Sequence, residues 1–246
     1  PELLAPAGYL ESLRAAVNAG ADAVYVGGAK YGARAYAENP EEEDLIAGLR
    51  YAHRFGVRVH LTVNTLLKEA ELQALPEYIA PYYEAGLDAA IVQDLGALAV
   101  LHKQFPLLSL HASTQTTITG PESARLFRSL GVSRVIPARE LSLEELLRIK
   151  QETGLEVESF VHGALCYAYS GQCFMSSLLG GRSGNRGRCA QTCRLPYSLV
   201  RDREKPTKQS LLLSCKDLCS LDLIPMLVAS GIDSLKIEGR MKSPRY

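Results

Sequence analysis

Short apolar segments recur along the chain, and each is followed by a polar residue or a glycine and then by an amphipathic stretch. These segments are rich in β-branched residues and are bounded by turn residues, a pattern that predicts β-strands rather than helices. The eight predicted strands are Leu3–Ala5, Ala23–Val26, Val59–Val63, Ala89–Val92, Leu108–Ala112, Val135–Ile136, Val157–Val161 and Leu235–Ile237.

The stretches between the predicted strands have the periodicity of helices. Residues Tyr9–Asn18 carry apolar side chains every third or fourth position, and Gly20 follows as a helix stop. Ser142, with Glu145 three residues later, predicts a helix start with a capping box. Glycine turns lead from such helices into the next strand at Gly20, Gly86, Gly131 and Gly231.

Eight alternating strand and helix units in roughly 250 residues predict an α/β fold, a (β/α)8 barrel of the TIM type. A doubly wound open sheet is the structural alternative. We expect one domain over residues 1–246, truncated before the last helix of the barrel. Ser243 and Pro244 are typical of a helix start, so we expect the sequence to be a fragment of a longer chain.

The connection between predicted strands seven and eight is an insertion of about 70 residues, approximately 164–233. Long insertions in α/β folds are usually functional. All six cysteines lie in it: Cys166, Cys173, Cys189, Cys193, Cys215 and Cys219. The chain shows no secretory signal and no apolar run long enough to span a membrane, so we expect a cytoplasmic protein. A reducing compartment argues against disulfides and favours a metal, a cluster or catalysis.

The cysteines are loosely spaced, with six, fifteen and three residues between the first four. Zinc sites usually show tight pairs with two intervening residues, whereas a [4Fe–4S] cluster accepts four thiolates from distant positions. Cysteines that pack only as small hydrophobic residues are the alternative. Four arginines lie in the stretch around these cysteines and would offset the charge of a cluster, bind phosphate or lie solvated: Arg182, Arg186, Arg188 and Arg194.

Charge narrows the choice of partners. The 246 residues include 27 basic and 27 acidic side chains, a formal net charge of zero. That balance excludes whole-surface electrostatic attraction to nucleic acid or an anionic membrane, so any such partner must bind a local patch. Polar side chains follow the predicted strands, where barrel active sites form. Our candidate site residues are Asn64, Gln115, Arg139, Glu140, His162, Glu238 and Arg240.

The segment Glu158–Cys166, followed by Tyr169–Cys173, resembles the defining motif of the family called peptidase U32. Glu2–Gly8, Ala21–Gly28 and Lys236–Pro244 resemble its other landmarks, so the resemblance covers nearly the whole chain. The family contains collagenase-like proteases and oxygen-independent hydroxylases that hold a [4Fe–4S] cluster. The resemblance therefore implies tRNA uridine, rRNA cytidine or a ubiquinone precursor as the substrate to be hydroxylated. It also implicates prephenate as the hydroxyl donor.

The resemblance also implies which cysteines bind the cluster. The ligands are expected to be Cys166, Cys173, Cys189 and Cys193, and Cys219 is expected to have a packing role. Cys215 stands where a small polar residue is expected and could replace one of the four ligands.

We therefore expect oxygen-independent hydroxylation of an RNA base, in tRNA or rRNA, with a [4Fe–4S] cluster and prephenate. His162, Glu140 and Glu238 are the candidate catalytic residues, the two glutamates for proton transfer. Arg139 and Arg240, together with His162, are expected to orient the anionic co-substrate because guanidinium groups match carboxylates. Asn64 and Gln115 complete the substrate-binding set.

Two other functions stay open. A collagenase-like peptidase could use a Cys166–His162 dyad, but the sequence has no His-Glu-x-x-His or Gly-x-Ser-x-Gly motif, and a dyad leaves the other cysteines unexplained. A non-catalytic RNA-binding or assembly subunit could use the arginine-rich insertion. The sequence also leaves open whether the protein forms a homodimer or a heterodimer.

Overall fold

The computed structural model describes residues 1–200, 202 and 205–246, and it contains nine strands and eight α-helices in those residues. The strands are β1 (Glu2–Ala7), β2 (Ala23–Gly27), β3 (Arg58–Val63), β4 (Ala89–Val92), β5 (Ser109–Ala112), β6 (Arg134–Val135), β7 (Glu156–Ala164), β8 (Asp217–Cys219) and β9 (Ser234–Ile237). The helices are α1 (Leu10–Asn18), α2 (Glu42–Arg54), α3 (Glu69–Glu84), α4 (Leu95–Gln104), α5 (Pro121–Ser129), α6 (Leu143–Thr153), α7 (Met175–Gly180) and α8 (Ile224–Ser230).

Eight parallel strands close into a ring. Strands β1 to β6 pair in sequence order, β6 pairs with β7, β7 with β9, and β9 with β1. The predicted (β/α)8 barrel is confirmed, and the open-sheet alternative is excluded because the sheet has no free edge on either side of β1. Strand β8 was not predicted. It lies in the insertion and pairs antiparallel with the end of β7, with Cys219 opposite His162.

The barrel forms because its strands are apolar on both faces. All of β2 and β4 is buried, with helices outside and side chains filling the inside. The inner core is small: Leu4, Ala23, Tyr25, Ile91, Ile136 and Phe160. The predicted capping box is present, since the Ser142 hydroxyl accepts the Glu145 N–H. None of the described helices combines the length and the hydrophobicity needed to cross a membrane.

Charged side chains are buried at the amino-terminal end of the barrel interior. The Glu158 carboxylate lies 2.7 Å from Lys236 Nζ and 3.2 Å from Arg134 Nη1, and Arg134 lies 2.5 Å from Glu2 Oε1. Burial alone would raise the pKa of Glu158, but Lys236 and Arg134 outweigh it and hold that pKa below its usual value. These ion pairs join β1, β6, β7 and β9, the strands that close the ring.

Two buried histidines pack against each other in the same region. The rings of His60 and His111 meet edge to face at 4.9 Å, and both Nδ1 atoms are buried without a hydrogen-bond partner. Burial lowers the pKa of His60 to about 4 and the pKa of His111 well below its usual value. Both rings are therefore neutral at pH 7.

Removing Lys236 tests the buried ion pairs. Because Lys236→Met leaves the Glu158 charge buried with one cation fewer, we expect the free energy of unfolding to fall by about 3 kcal/mol. The control is Arg148→Ala, which removes an exposed ion pair with Glu152 and should cost at most about 1 kcal/mol. Urea unfolding measures both, and equal losses in the two variants would contradict the assigned role.

The histidine pair predicts a pH dependence. Below pH 6.5 the unfolded chain protonates His60, whereas the folded protein does not until about pH 4, so stability falls as the pH drops through this window. In His60→Asn, stability should decline less steeply than in the wild type between pH 6.5 and 4.5. This range lies above the one in which the paired carboxylates titrate. Melting temperatures across this range measure the effect, and identical slopes for the wild type and the variant would refute it.

Candidate active site

Glu238 and Arg240 follow β9, and the structure turns both into the barrel mouth. Glu238 has 18% of its side chain exposed, and its Oε1 lies 2.9 Å from Arg34 Nη2. The Tyr25 hydroxyl donates to the Ile237 carbonyl at 2.9 Å and lies 3.4 Å from Glu238 Oε2. Burial would raise the pKa of Glu238, but Arg34 outweighs it and lowers that pKa. Glu238 is therefore a carboxylate at neutral pH.

Arg240 is buried beside this pair. Its Nη1 donates to Thr62 Oγ1 and its Nη2 to Asn39 Oδ1, both at 2.8 Å, and its Nε is buried without a partner. Burial and the nearby Arg34 lower the pKa of Arg240 to about 10, which leaves it charged at pH 7. A Cβ at Gly27 would overlap the Arg240 guanidinium, so only glycine fits there.

Two glutamines face the mouth from neighbouring strand ends. Gln93 Nε2 lies 3.4 Å from the Gln115 carbonyl, and the Oε1 atoms of both side chains are buried without a partner. A Cβ at Gly171 would overlap the Gln115 carbonyl, so the insertion lies directly against this loop. The pair can accept hydrogen bonds from a ligand.

Arg139 and Glu140 hold the start of the insertion. Glu140 Oε1 accepts the Ser170 N–H at 3.0 Å and contacts its hydroxyl at 3.3 Å. Arg139 Nε also contacts the Ser170 hydroxyl at 3.3 Å, and its guanidinium lies 5.9 Å from the centre of the Phe160 ring. Glu140 therefore anchors the insertion in this structure.

Asn64 and His162 adjoin these groups through the backbone, since the Glu238 N–H donates to the His162 carbonyl at 2.9 Å. Asn64 Oδ1 accepts the Ala33 N–H at 2.9 Å and so braces the loop after β2. His162 is exposed, with its ring 5.8 Å from that of Tyr246. In the part of the chain that the structure describes, no hydrogen bond joins His162 to Cys166 or to a carboxylate, so no nucleophilic dyad is formed.

Cys193 lies close enough to the other three expected ligands, Cys166, Cys173 and Cys189, for their charges to affect it. Burial raises the pKa of Cys193, and Cys166, Cys189 and Cys173 raise it further against the opposing effect of Arg194. Neither of the other two cysteines is among the neighbours with the largest effect on Cys193. The expected packing role of Cys219 is wrong, because its thiol is exposed on β8. Cys215 is half-buried, and its carbonyl accepts a hydrogen bond from Arg194.

Four cysteine thiols are a donor set that an iron–sulfur cluster accepts. Thiolates repel one another, and a bound positive metal offsets that repulsion. Over the described residues, no three His, Cys, Asp or Glu side chains are close enough to hold one metal ion. The Gln191 N–H also lies 3.4 Å from Cys189 Sγ and would stabilise a thiolate there.

The insertion is fastened across the mouth by one bidentate ion pair. Arg186 Nη1 and Nη2 lie 2.6 and 2.7 Å from the two carboxylate oxygens of Glu71, and Nη1 also donates to the Leu66 carbonyl. The hydrogen bond from Arg186 is the main reason that the pKa of Glu71 falls to about 2. A cavity of about 450 Å³ lies beside this pair and reaches Asn39, the partner of Arg240.

Residues 8–246 match the profile of peptidase family U32. The chain belongs to peptidase family U32. The solved structure of the U32 peptidase Mk0906 shares the fold, with a TM-score of 0.64 and 16% identity over 97% of this chain and 92% of that chain. The inference from the central motif is thereby confirmed.

Curated relatives carry two kinds of name. The 23S rRNA 5-hydroxycytidine C2501 synthase of Escherichia coli is 43% identical over 100% of this chain and 37% of its own length. The tRNA hydroxylation protein P1 of Bacillus subtilis is 37% identical over 100% of this chain and 60% of its own length. A collagenase of Porphyromonas gingivalis is 34% identical over 100% of this chain and 62% of its own length. The chain thus spans less than two thirds of each relative.

Several residues of the mouth were missed from the sequence. Arg34, Asn39, Thr62 and Tyr25 surround Glu238 and Arg240, yet only Tyr25 is in one of the motifs, Ala21–Gly28. One signal was available for Thr62, because it is a polar residue between the apolar Leu61 and Val63 of β3. The position of Arg34, seven residues beyond β2, carries no such signal.

Loss of the Arg186–Glu71 pair should increase the local opening of the insertion without lowering the stability of the barrel. In Arg186→Ala we expect faster hydrogen exchange over residues 184–189 and little change in melting temperature, because the pair is partly exposed. Mass spectrometry of exchanged peptides measures this. Arg125→Ala, which breaks a similar pair with Glu152 on the outer helices, is the matched control. Unchanged exchange in the insertion would show that Arg186 does not fasten it.

Proposed function

We propose that the protein hydroxylates an RNA base without molecular oxygen, using a [4Fe–4S] cluster held by Cys166, Cys173, Cys189 and Cys193. The observation that supports the proposal is the proximity of Cys193 to the other three cysteines, in an insertion that lies against a barrel mouth lined by charged groups. Two relatives that match the whole of this chain are named as an rRNA hydroxycytidine synthase and a tRNA hydroxylation protein. These names support RNA as the substrate. A protein acting on tRNA or rRNA would work in the cytoplasm.

The chain's own residues would bind and orient the reactants. Bound at the mouth, the cluster would supply electron-transfer chemistry, which the protein itself lacks. Glu238, kept ionised by Arg34, would accept a proton from the base. The unpaired Oε1 atoms of Gln93 and Gln115 would accept hydrogen bonds from the base and fix its orientation.

Arg240 would bind the anionic hydroxyl donor, which we propose to be prephenate or a similar carboxylate. Its guanidinium is held by Thr62 and Asn39, and its Nε remains to donate a hydrogen bond. Arg139, half-buried beside the Phe160 ring, would add a second positive charge.

The direct test is anaerobic incubation with prephenate and RNA from cells that lack the modification, followed by mass spectrometry of the nucleosides. We expect a pyrimidine nucleoside with one additional oxygen. Absence of that product together with cleavage of gelatin would instead favour the peptidase function carried by the name of the Porphyromonas relative.

The ligand assignment predicts which cysteines matter. Cys173→Ala should remove the visible absorbance of the cluster and abolish hydroxylation while the barrel stays folded, because the ligand lies in an insertion. Cys219→Ala is the matched control and should keep both, since Cys219 is not among the main influences on the pKa of Cys193. Absorbance and circular dichroism of anaerobic samples measure the outcome. Cluster loss in Cys219→Ala but not in Cys189→Ala would overturn the assignment.

A further inference from the structure

An exposed tyrosine lies between two arginines at the edge of the barrel mouth. Tyr36 is in the loop after β2, and 52% of its surface is exposed. The guanidinium carbon of Arg182 lies 4.7 Å from the centre of the Tyr36 ring, and Arg188 Nε lies 3.3 Å from its hydroxyl. We call Tyr36, Arg182 and Arg188 the rim patch.

The four arginines between residues 182 and 194 divide into two groups. Arg186 is paired with Glu71, and Arg194 donates to the Ser214 hydroxyl and to the carbonyls of Cys215 and Leu165. Among the described residues, no carboxylate lies within ion-pair distance of Arg182 or Arg188, and Arg182 Nε is buried without a partner. The rim patch therefore has positive charge that the described part of the protein does not balance.

The rim patch is fixed next to the proposed site. The Ala35 N–H donates to the Gly187 carbonyl at 3.1 Å, which joins the two segments that carry Tyr36 and Arg188. Arg34, two residues before Tyr36, reaches Glu238 in the mouth, and Arg188 precedes Cys189 in the chain. A ligand on the patch thus lies at the entrance to the mouth.

We propose that the rim patch binds a single-stranded segment of the RNA substrate, with a base stacked on Tyr36 and its phosphates against Arg182 and Arg188. The proposal rests on the proposed function, because it takes RNA to be the substrate. Aromatic rings flanked by arginines bind unpaired nucleotides without regard to sequence. A protein with zero net charge needs such a local patch to attract a polyanion.

The insertion exposes further rings along the same connection. Tyr167 is 57%, Tyr169 65% and Phe174 57% exposed, and they flank Cys166 and Cys173 in the sequence. Successive bases of a single strand stack on successive rings of this kind. An unpaired segment longer than one nucleotide is therefore the ligand that this surface fits.

The stacking contact is tested by fluorescence anisotropy with a labelled single-stranded RNA of about 12 nucleotides, within the usual range of site sizes. We expect Tyr36→Ala to raise Kd at least about fivefold, the effect of losing one stacked base, and Tyr36→Phe to stay close to the wild type. Phe55→Ala, which removes a 60% exposed ring at the opposite end of the barrel, should leave Kd unchanged.

The charge contact is tested by the salt dependence of the same binding. Arg188→Gln should reduce the slope of log Kd against log salt by about 0.7, the value for one phosphate of a single strand. Tyr36→Ala should weaken binding without changing the slope, and Arg50→Gln, an exposed arginine on α2, should change neither. Circular dichroism and iron content confirm that each variant keeps the wild-type fold and metal load.

The outcomes separate this proposal from the proposed function. Wild-type protein that does not bind the RNA, or equal Kd values for Tyr36→Ala and Phe55→Ala, would overturn the rim patch even if the enzyme hydroxylates RNA. Tight binding that depends on Tyr36 and Arg188 supports the patch. If that binding comes without any oxygenated nucleoside, the hydroxylase function fails and the patch stands.

Discussion

The buried carboxylate of Glu158, shared between Lys236 and Arg134, is the contact on which the barrel depends. It joins β7 to β9 and β6, and Arg134 extends the connection to Glu2 on β1. Buried charges of this kind are costly to separate, so they favour one register of the closing strands over its alternatives. That register decides which residues of β7 and β9 reach the mouth, because a shift of one residue would turn each side chain to the opposite face.

The mouth is built on this closed end. Once β9 is in register, Glu238 and Arg240 enter the barrel, where Arg34 and Asn39 from the loop after β2 meet them. The long connection between β7 and β9 carries the six cysteines and packs back against the barrel. Strand β8 pairs with β7, Ser170 bonds to Glu140, and Arg186 forms a bidentate ion pair with Glu71.

Sequence periodicity predicted the barrel because most strands contain a short apolar run and the turns before them carry glycine at positive φ, as at Gly20 and Gly231. The position of Glu238 at a strand end could also be predicted from the sequence. Its partner Arg34 could not, since 204 residues separate them and only ring closure brings them together. Strand β8 is three residues long and pairs with β7, so no local pattern marks it. Cys219, which was expected to pack, is exposed on this strand.

The account depends on the four clustered cysteines holding iron. Iron and acid-labile sulfide, quantified per chain in protein purified without oxygen, test this most directly. The account predicts about four iron and four sulfide atoms per chain, as a [4Fe–4S] cluster requires. Protein prepared in this way that contains no iron, or a single zinc ion per chain, would contradict it.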